Sequence, residues 1–195
     1  KTLDNWYQTR TVKINIDQKS LSLNLFSLPG VFSASGVDDG TKLLLETIEP
    51  LSGKGLDFGC GCGVISASVA KAFDCELTAI DVDALAVASS NKTFKNNGIN
   101  AHAIASNGLS EVINSAQKFD FIVTNPPFHT GISTDYSITE SLIKQSLKIL
   151  NKSYQYWMVA NGFLPYAELF TRYVKPVVIK NRNNRFNIYK TQSSI

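Results

Sequence analysis

Leu56-Asp57-Phe58-Gly59-Cys60-Gly61-Cys62-Gly63 is the stretch on which the fold turns. An apolar segment with one acid runs into three glycines spaced by single residues, and helical spacing resumes at Val64–Phe73. That pattern reads as strand, tight loop and helix. Glycines at such a junction let the backbone turn sharply and let a ligand approach without a Cβ in the way, at the positive end of a helix dipole. A dinucleotide fingerprint needs a third glycine in G-x-G-x-x-G, and counted from Gly59 that place is Val64. The loop therefore favours a nucleoside-like ligand over a pyrophosphate. Asp57 stands where a carboxylate can orient the loop or meet a cationic ligand.

An acid at the end of the next strand is the second requirement of such a site. Leu77-Thr78-Ala79-Ile80-Asp81 supplies it, 24 residues beyond Asp57, where a carboxylate can accept both ribose hydroxyls of a nucleoside. Asp83 fits helix capping better. Asn107 can hydrogen-bond an adenine edge, or it is simply a turn residue in Ser106-Asn107-Gly108; the sequence leaves both readings open.

Outward from the glycine loop, strand patterns fall at Gly55–Phe58, Glu76–Asp81, Asn100–Ala105, Phe119–Thr124, Gln155–Ala160, Pro176–Lys180 and Arg185–Lys190. Helical patterns separate the earlier ones, at Val64–Phe73, Asp83–Asn97, Thr139–Leu150 and Pro165–Val174, with Asn97-Gly98 as a C-cap. In the third of these, Leu142, Ile143, Ser146, Leu147 and Leu150 form one stripe. Strands joined by helices predict an α/β fold with a parallel sheet covered on both faces. The last two strands have only Asn181–Asn184 between them, so the sheet is predicted to end in an antiparallel pair. Upstream, Val12, Ile14 and Ile16, then a polar break, then Leu21, Leu23 and Leu25 predict a β-hairpin. A helix capped at Asp38-Asp39 follows it, with Leu43, Leu44, Ile48 and Leu51 inward.

Composition agrees with a single globular domain. The 195 residues are 44% hydrophobic and 18% charged, too apolar for disorder, and no apolar run approaches the roughly 20 residues of a membrane helix. The start carries no apolar signal-peptide core, and it opens on Lys1 rather than Met, so a piece of a longer polypeptide is expected. Cys60, Cys62 and Cys75 are an odd set with wrong spacing for zinc, and with only His102 and His129 besides, no metal is expected. Thiols of this kind suit the reducing cytoplasm. The net charge of +3 conceals an asymmetry: 13 basic and 16 acidic side chains lie up to residue 168, and six basic and no acidic ones after it. A basic terminal region suits a phosphate-rich partner, or is a solvated edge.

The second chemical signal is Asn125-Pro126-Pro127-Phe128-His129, entered directly from the apolar strand Phe119–Thr124. Two prolines end the ladder, so the chain leaves the sheet at its carboxyl edge, where open α/β sheets bind ligands. The tetrapeptide offers an amide oxygen, a proline carbonyl and an aromatic face, which suits a planar substrate carrying an –NH2 group. An exocyclic amine is a weak nucleophile, and two aligned acceptors on its N–H bonds aim its lone pair at an electrophile. Asn125 and Pro126 are the candidate acceptors and Phe128 the stacking face. His129 can take a proton late, contact a phosphate, or do neither. No base stands near Cys60 or Cys62 in the sequence, which disfavours covalent catalysis.

Together the Asp-x-Gly-x-Gly-x-Gly loop, the acid ending the second strand and Asn-Pro-Pro-Phe resemble class I S-adenosylmethionine-dependent methyltransferases that methylate amines. Pro29-Gly30-Val31-Phe32-Ser33, Val37-Asp38-Asp39-Gly40-Thr41, Asn125 through Gly131, and Val159 through Tyr166 narrow the resemblance to the RsmC/RlmG type of ribosomal RNA guanine-N2 methyltransferase. It spans residue 29 to Lys190, with Arg185-Phe186-Asn187-Ile188-Tyr189 similar to the closing strand of that family. The resemblance implies a Rossmann-like fold, a seven-stranded mostly parallel sheet with an antiparallel final strand. It also implies S-adenosylmethionine as cofactor and methyl transfer to the N2 amine of a flipped or unpaired guanosine in ribosomal RNA, the small subunit favoured. On this reading Asp57, Gly59, Cys60, Gly61, Gly63, Asp81, Val82, Asn107 and Asn125 hold the cofactor. Asn125, Pro126, Pro127 and Phe128 carry catalysis, and Phe32, Phe128, His129, Arg182 and Arg185 meet the RNA. Two departures stand out. Phe58 occupies a place usually held by a smaller aliphatic residue, and the degenerate amino-terminal copy of the fold found in family members has no counterpart here. Residues 1–28 are accordingly expected to be a connecting hairpin and 29–195 the catalytic domain.

Adenine in DNA or RNA and glutamine in proteins present the same planar –NH2, so they remain alternatives. A decayed methyltransferase fold kept as an RNA-binding module is a further one, and a nicotinamide-dependent oxidoreductase ranks last.

Overall fold

The structure, a computed structural model, describes residues 2–32, 36–126, 132–163, 166–174 and 176–193. A 3-10 turn at Leu3–Trp6 leads into β1 (Gln8–Ile16) and β2 (Lys19–Ser27). There follow α1 (Asp39–Thr47), β3 (Lys54–Phe58), α2 (Val64–Phe73), β4 (Glu76–Asp81), α3 (Ala84–Asn97), β5 (Ala101–Ala105) and α4 (Ser110–Asn114). The chain continues through β6 (Phe119–Thr124), α5 (Ile132–Ser146), β7 (Leu150–Asn161), α6 (Tyr166–Tyr173), β8 (Val177–Arg182) and β9 (Phe186–Ser193).

Seven of these strands form one sheet in the order β5-β4-β3-β6-β7-β9-β8. The pairs from β5 through β7 are parallel, and β9 runs antiparallel between β7 and β8. The last strand thus inserts inside the sheet, leaving β8 as its edge. Alternation along the strands fills two cores. Leu77 and Ala79 of β4, Val123 of β6, and Trp157 and Val159 of β7 face α1, α2, α3 and the hairpin. Ile80, Ile122, Tyr156, Met158 and Ala160 face α4, α5 and α6. Burial on both sides is why β6 and β7 read as unbroken apolar runs rather than alternating ones.

The hairpin forms its own two-stranded sheet, turning on Asp17 and Gln18, both at positive φ. Ile14, Ile16, Leu23 and Leu25 belong to the same apolar cluster as α1–α3. Its outer edge is tied to α3 by polar bonds: Thr93 Oγ1 accepts from Phe26 N at 3.0 Å, and Ser89 Oγ from Leu28 N at 3.0 Å.

Two expectations need correction, and one helix was not anticipated. The helix anticipated at Thr139–Leu150 is Ile132–Ser146; Leu147 is exposed, and Leu150 opens β7 by pairing with Phe119. Leu142 and Ile143 keep their inward places, but the apparent stripe ran past the helix end because strand and helix residues happened to match in spacing. The helix α4 carried no sequence signal, being five residues long with only Val112 buried. The expected turn Asn181–Asn184 is shorter, since β8 continues to Arg182.

Candidate active site

Chain order reverses direction beside β3, with β4 on one side and β6 on the other, and the crevice at such a switch point is where open α/β sheets bind ligands. Gly59, Gly61 and Gly63 all have positive φ. Gly63 shows why: a Cβ there would lie 2.7 Å from the Phe94 ring, so α2 and α3 meet across it only without a side chain. The loop is clamped to β4, with Gly59 N and Cys60 N both donating to Ile80 O at 2.9 and 3.1 Å.

Asp81 is held from two sides. Its Oδ2 accepts from Gly61 N at 3.0 Å and its Oδ1 from Asp83 N at 3.0 Å. A carboxylate oxygen has two lone pairs, so both oxygens keep acceptor capacity toward the crevice. Asp83 in turn caps α3 through Leu85 N, as its position implied.

Two cavities open on either side of Asp81 and Val82. One of about 510 Å³ includes Phe32, Asp38, Gly59, Gly61, Asn125, Pro126, Asn161, Arg185 and Phe186 in its wall. The other, about 490 Å³, includes Phe58, Ile80, Asn107, Leu109 and Leu142. Both have Gly59, Asp81 and Val82 in their walls, and each lies within the size range of small-molecule sites. Phe58 thus stands in the wall of the second cavity.

Thr124 Oγ1 donates to Phe58 O at 2.8 Å, tying the end of β6 to the end of β3 and setting Asn125 beside the glycine loop. The Asn125 amide nitrogen donates to Thr41 Oγ1 at 2.9 Å and to the Asp38 carboxylate at 3.2 and 3.3 Å. An ionised carboxylate can only accept, so the amide oxygen is the end left for the cavity.

Other candidates are placed differently. The Asp57 side chain is fully buried and absent from both cavity walls; its Oδ2 accepts from Ser66 N at 3.1 Å and Ser66 Oγ at 2.7 Å. Its Oδ1 has no partner among the described residues, and burial pushes its pKa up to about 7. Asp57 therefore braces the loop against α2 instead of meeting a ligand with its carboxylate. The Cys60 thiol points inward, accepting from Ser90 Oγ at 3.3 Å, and burial pushes it well above the ordinary thiol range. Cys62 is raised to about 11, also by burial. Neutral thiols are poor nucleophiles, in accord with the reading that covalent catalysis is disfavoured. Arg185 is at the rim of the larger cavity, 3.4 Å from Asp39 and with its guanidinium over the Phe186 ring, whereas Arg182 is exposed at the end of β8 and outside both walls. Pro127, Phe128 and His129 lie outside the described residues.

Sequence reasoning took Asp38 as a helix cap and gave Thr41, Asn161 and Phe186 no role of their own in the site. The signal for Asn161 was its place at the carboxyl end of β7, the same sheet edge as Asn125.

Comparison with known proteins places this geometry. The chain is 42% identical over 175 residues to the ribosomal RNA small subunit methyltransferase C of Actinobacillus pleuropneumoniae serotype 7, covering 88% of this chain and 52% of that protein. The Vibrio vulnificus protein of the same name is 41% identical over 186 residues, 95% of this chain and 53% of its own length. The chain thus spans about half the length of the curated relatives it matches. Among solved structures, the T. thermophilus 16S rRNA N2 methyltransferase RsmC, in complex with AdoMet and guanosine, superposes with a TM-score of 0.80 at 25% identity, over 95% of this chain and 51% of that one. A ribosomal protein L11 methylase from Lactobacillus delbrueckii, at 20% identity and a TM-score of 0.67, shares the fold. Residues 22–190 match the methyltransferase small domain, and the chain belongs to that family.

Proposed function

We propose that this chain transfers a methyl group from S-adenosylmethionine to the N2 amine of a guanosine in small-subunit ribosomal RNA. The observation that carries the reading is Asn125 in the wall of a cavity shared with Gly59, Gly61 and Asp81, its amide nitrogen held by Asp38 and Thr41 so that the amide oxygen is left free to accept. The likeness to small-subunit methyltransferase C proteins and to a structure holding AdoMet and guanosine supports it.

The residues present fit the cofactor. Asp81, fixed by two backbone donors with lone pairs to spare, suits a ribose diol between the two cavities. The cavity lined by Phe58, Ile80, Leu109 and Leu142 suits an adenine ring, with Asn107 at hand for a polar edge. The opposite cavity then takes the amino-acid arm, on the side of Asn125. Bound there, the cofactor supplies an electrophilic methyl on a sulfonium.

The chain's own part is positioning. Asn125 Oδ1 and the Pro126 carbonyl accept the two N–H bonds of the amine, which favours a pyramidal nitrogen and aims its lone pair. Holding that nitrogen at about 3–3.5 Å from the reacting carbon removes most of the entropic barrier of a bimolecular transfer. The methylated nitrogen is more acidic than the free amine and sheds its proton to water or to His129. Phe128 stacks on the flipped base, and Phe32 and Arg185 meet the RNA at the cavity rim. Three free cysteines accord with work in the cytoplasm, and no helix among the described residues is long and apolar enough to cross a membrane. Residues 1–28 would then be the connector and 29–195 the catalytic unit, the two sharing one apolar cluster.

Transfer of labelled methyl to small-subunit RNA, large-subunit RNA, adenine-containing duplex DNA and a glutamine peptide tests the reading. Label on a small-subunit guanosine is expected. Label on adenine or glutamine alone would replace the substrate assignment while keeping the amine chemistry.

A further inference from the structure

We infer that Asp38, assisted by Thr41, is a positioning residue that fixes which end of the Asn125 amide faces the substrate amine; this rests on the function proposed above.

A side-chain amide is nearly symmetric in shape, so steric packing alone does not choose between its two orientations. The choice matters chemically. With Oδ1 toward the substrate, Asn125 accepts an N–H bond and steers the amine lone pair. Turned over, it presents two donors to a group that is itself a donor, and the amine is repelled. Something must therefore hold the amide one way.

Asp38 is built for that task. Its Oδ1 accepts from Gly40 N at 3.0 Å and Thr41 N at 3.2 Å, which locks the carboxylate at the amino terminus of α1. A carboxylate offers acceptors only and has no proton to donate. Onto this fixed acceptor the Asn125 Nδ2 group donates at 3.2 and 3.3 Å, and Thr41 Oγ1 adds a third acceptor at 2.9 Å. The two N–H bonds of the amide are thus spent on α1, and Oδ1 is delivered to the cavity. The carboxylate also polarises the amide through these bonds, raising the electron density on Oδ1 as positive charge develops on the attacking nitrogen. One residue caps a helix and, 87 positions along the chain, orients the acceptor on another element.

Methyl transfer by the full chain to small-subunit RNA tests this, with Asp38→Ser, Asn125→Ala and the double variant compared by kcat, KM for RNA and Kd for S-adenosylmethionine. Serine caps helices well but is too short to reach Asn125, so folding is expected to survive. The expected result is a fall in kcat of about 10–100-fold with both binding constants within about twofold of the parent, because misorientation of one group costs on that scale. In the Asn125→Ala background the same substitution is expected to change kcat by less than about twofold. Should a melting curve show Asp38→Ser unfolded, Asp38→Asn takes its place. It keeps the cap and the shape but offers an NH2 that can turn Asn125 over, and the same loss of kcat is expected. Three results would overturn the inference: an unchanged kcat; a loss that appears as weaker S-adenosylmethionine binding with kcat kept, which would make Asp38 a cofactor ligand; or full additivity with Asn125→Ala. The parent and Asn125→Ala separately judge the underlying function. No transfer by the parent, or full activity of Asn125→Ala, would sink that reading and this inference with it.

Discussion

Asp57 buries a carboxyl where β3 enters the glycine loop. Desolvation raises its pKa from the ordinary 3.8 to about 7, only partly offset by the two bonds from Ser66. A carboxyl that binds its proton more tightly when folded contributes stability that is fully present below its unfolded pKa. That stability is lost as pH rises through about 7, because the unfolded chain ionises freely while the folded one must bury a charge. The loss across this window is at most about 4 kcal/mol. Asp57→Asn, which cannot ionise, is expected to flatten the fall in melting temperature between pH 5 and 8. A parallel pH profile for the variant would show that the charge is not felt. The sequence left Asp57 either orienting the loop or meeting a ligand, because an acid before a glycine loop can face either way. What turns it inward is Ser66, nine residues on, whose hydroxyl and amide reach it only once α2 is formed. Asp81 was legible because its place at a strand end leaves one direction to face. The place of Asn125 at the carboxyl edge of the sheet was legible, but its partner Asp38 was not, since a cap is a local pattern and the pairing with Asn125 spans most of the fold.

At the scale of elements, the parallel strands and α2 and α3 were readable from periodicity and caps, down to Gly98 at the end of α3. The boundary between α5 and β7 was not, because Leu147 and Leu150 continue the helical spacing while the turn at 146–149 ends the helix. The insertion of β9 between β7 and β8 was equally hidden, as a hairpin turn shows that two strands pair but not which of them lies outside. The hairpin β1–β2 was visible, but its anchorage was not. Thr93 is fully buried on α3 and accepts from Phe26 N. Thr93→Val keeps the shape and orphans that amide, for an expected loss of about 1–3 kcal/mol in urea unfolding. A stability within experimental scatter of the parent would mean that the hairpin is held by its apolar face alone.

At the scale of the molecule, the basic terminal region is less free than its composition suggested. Arg172 pairs with Glu140, Lys180 and Lys190 both pair with Glu49, and Arg185 pairs with Asp39. Partners from the acidic part of the chain thus cover much of the excess. The exposed pairs, Arg172–Glu140 and Arg185–Asp39, are worth little and exchange readily for phosphate, so the surface can still serve RNA. Arg182→Ala and Arg185→Ala are each expected to lower the slope of log affinity for RNA against log salt by about one. An unchanged slope in both would remove them from the interface.

The two cavities joined at Asp81 are the feature on which everything else depends. Calorimetric titration of the chain with S-adenosylmethionine, with NAD as control and Asp81→Ala alongside, tests it most directly. Saturable binding of S-adenosylmethionine but not NAD, weakened about tenfold or more by the substitution, is the expected result. A folded chain that fails to bind S-adenosylmethionine, or binds it equally well without the Asp81 carboxylate, would contradict the site.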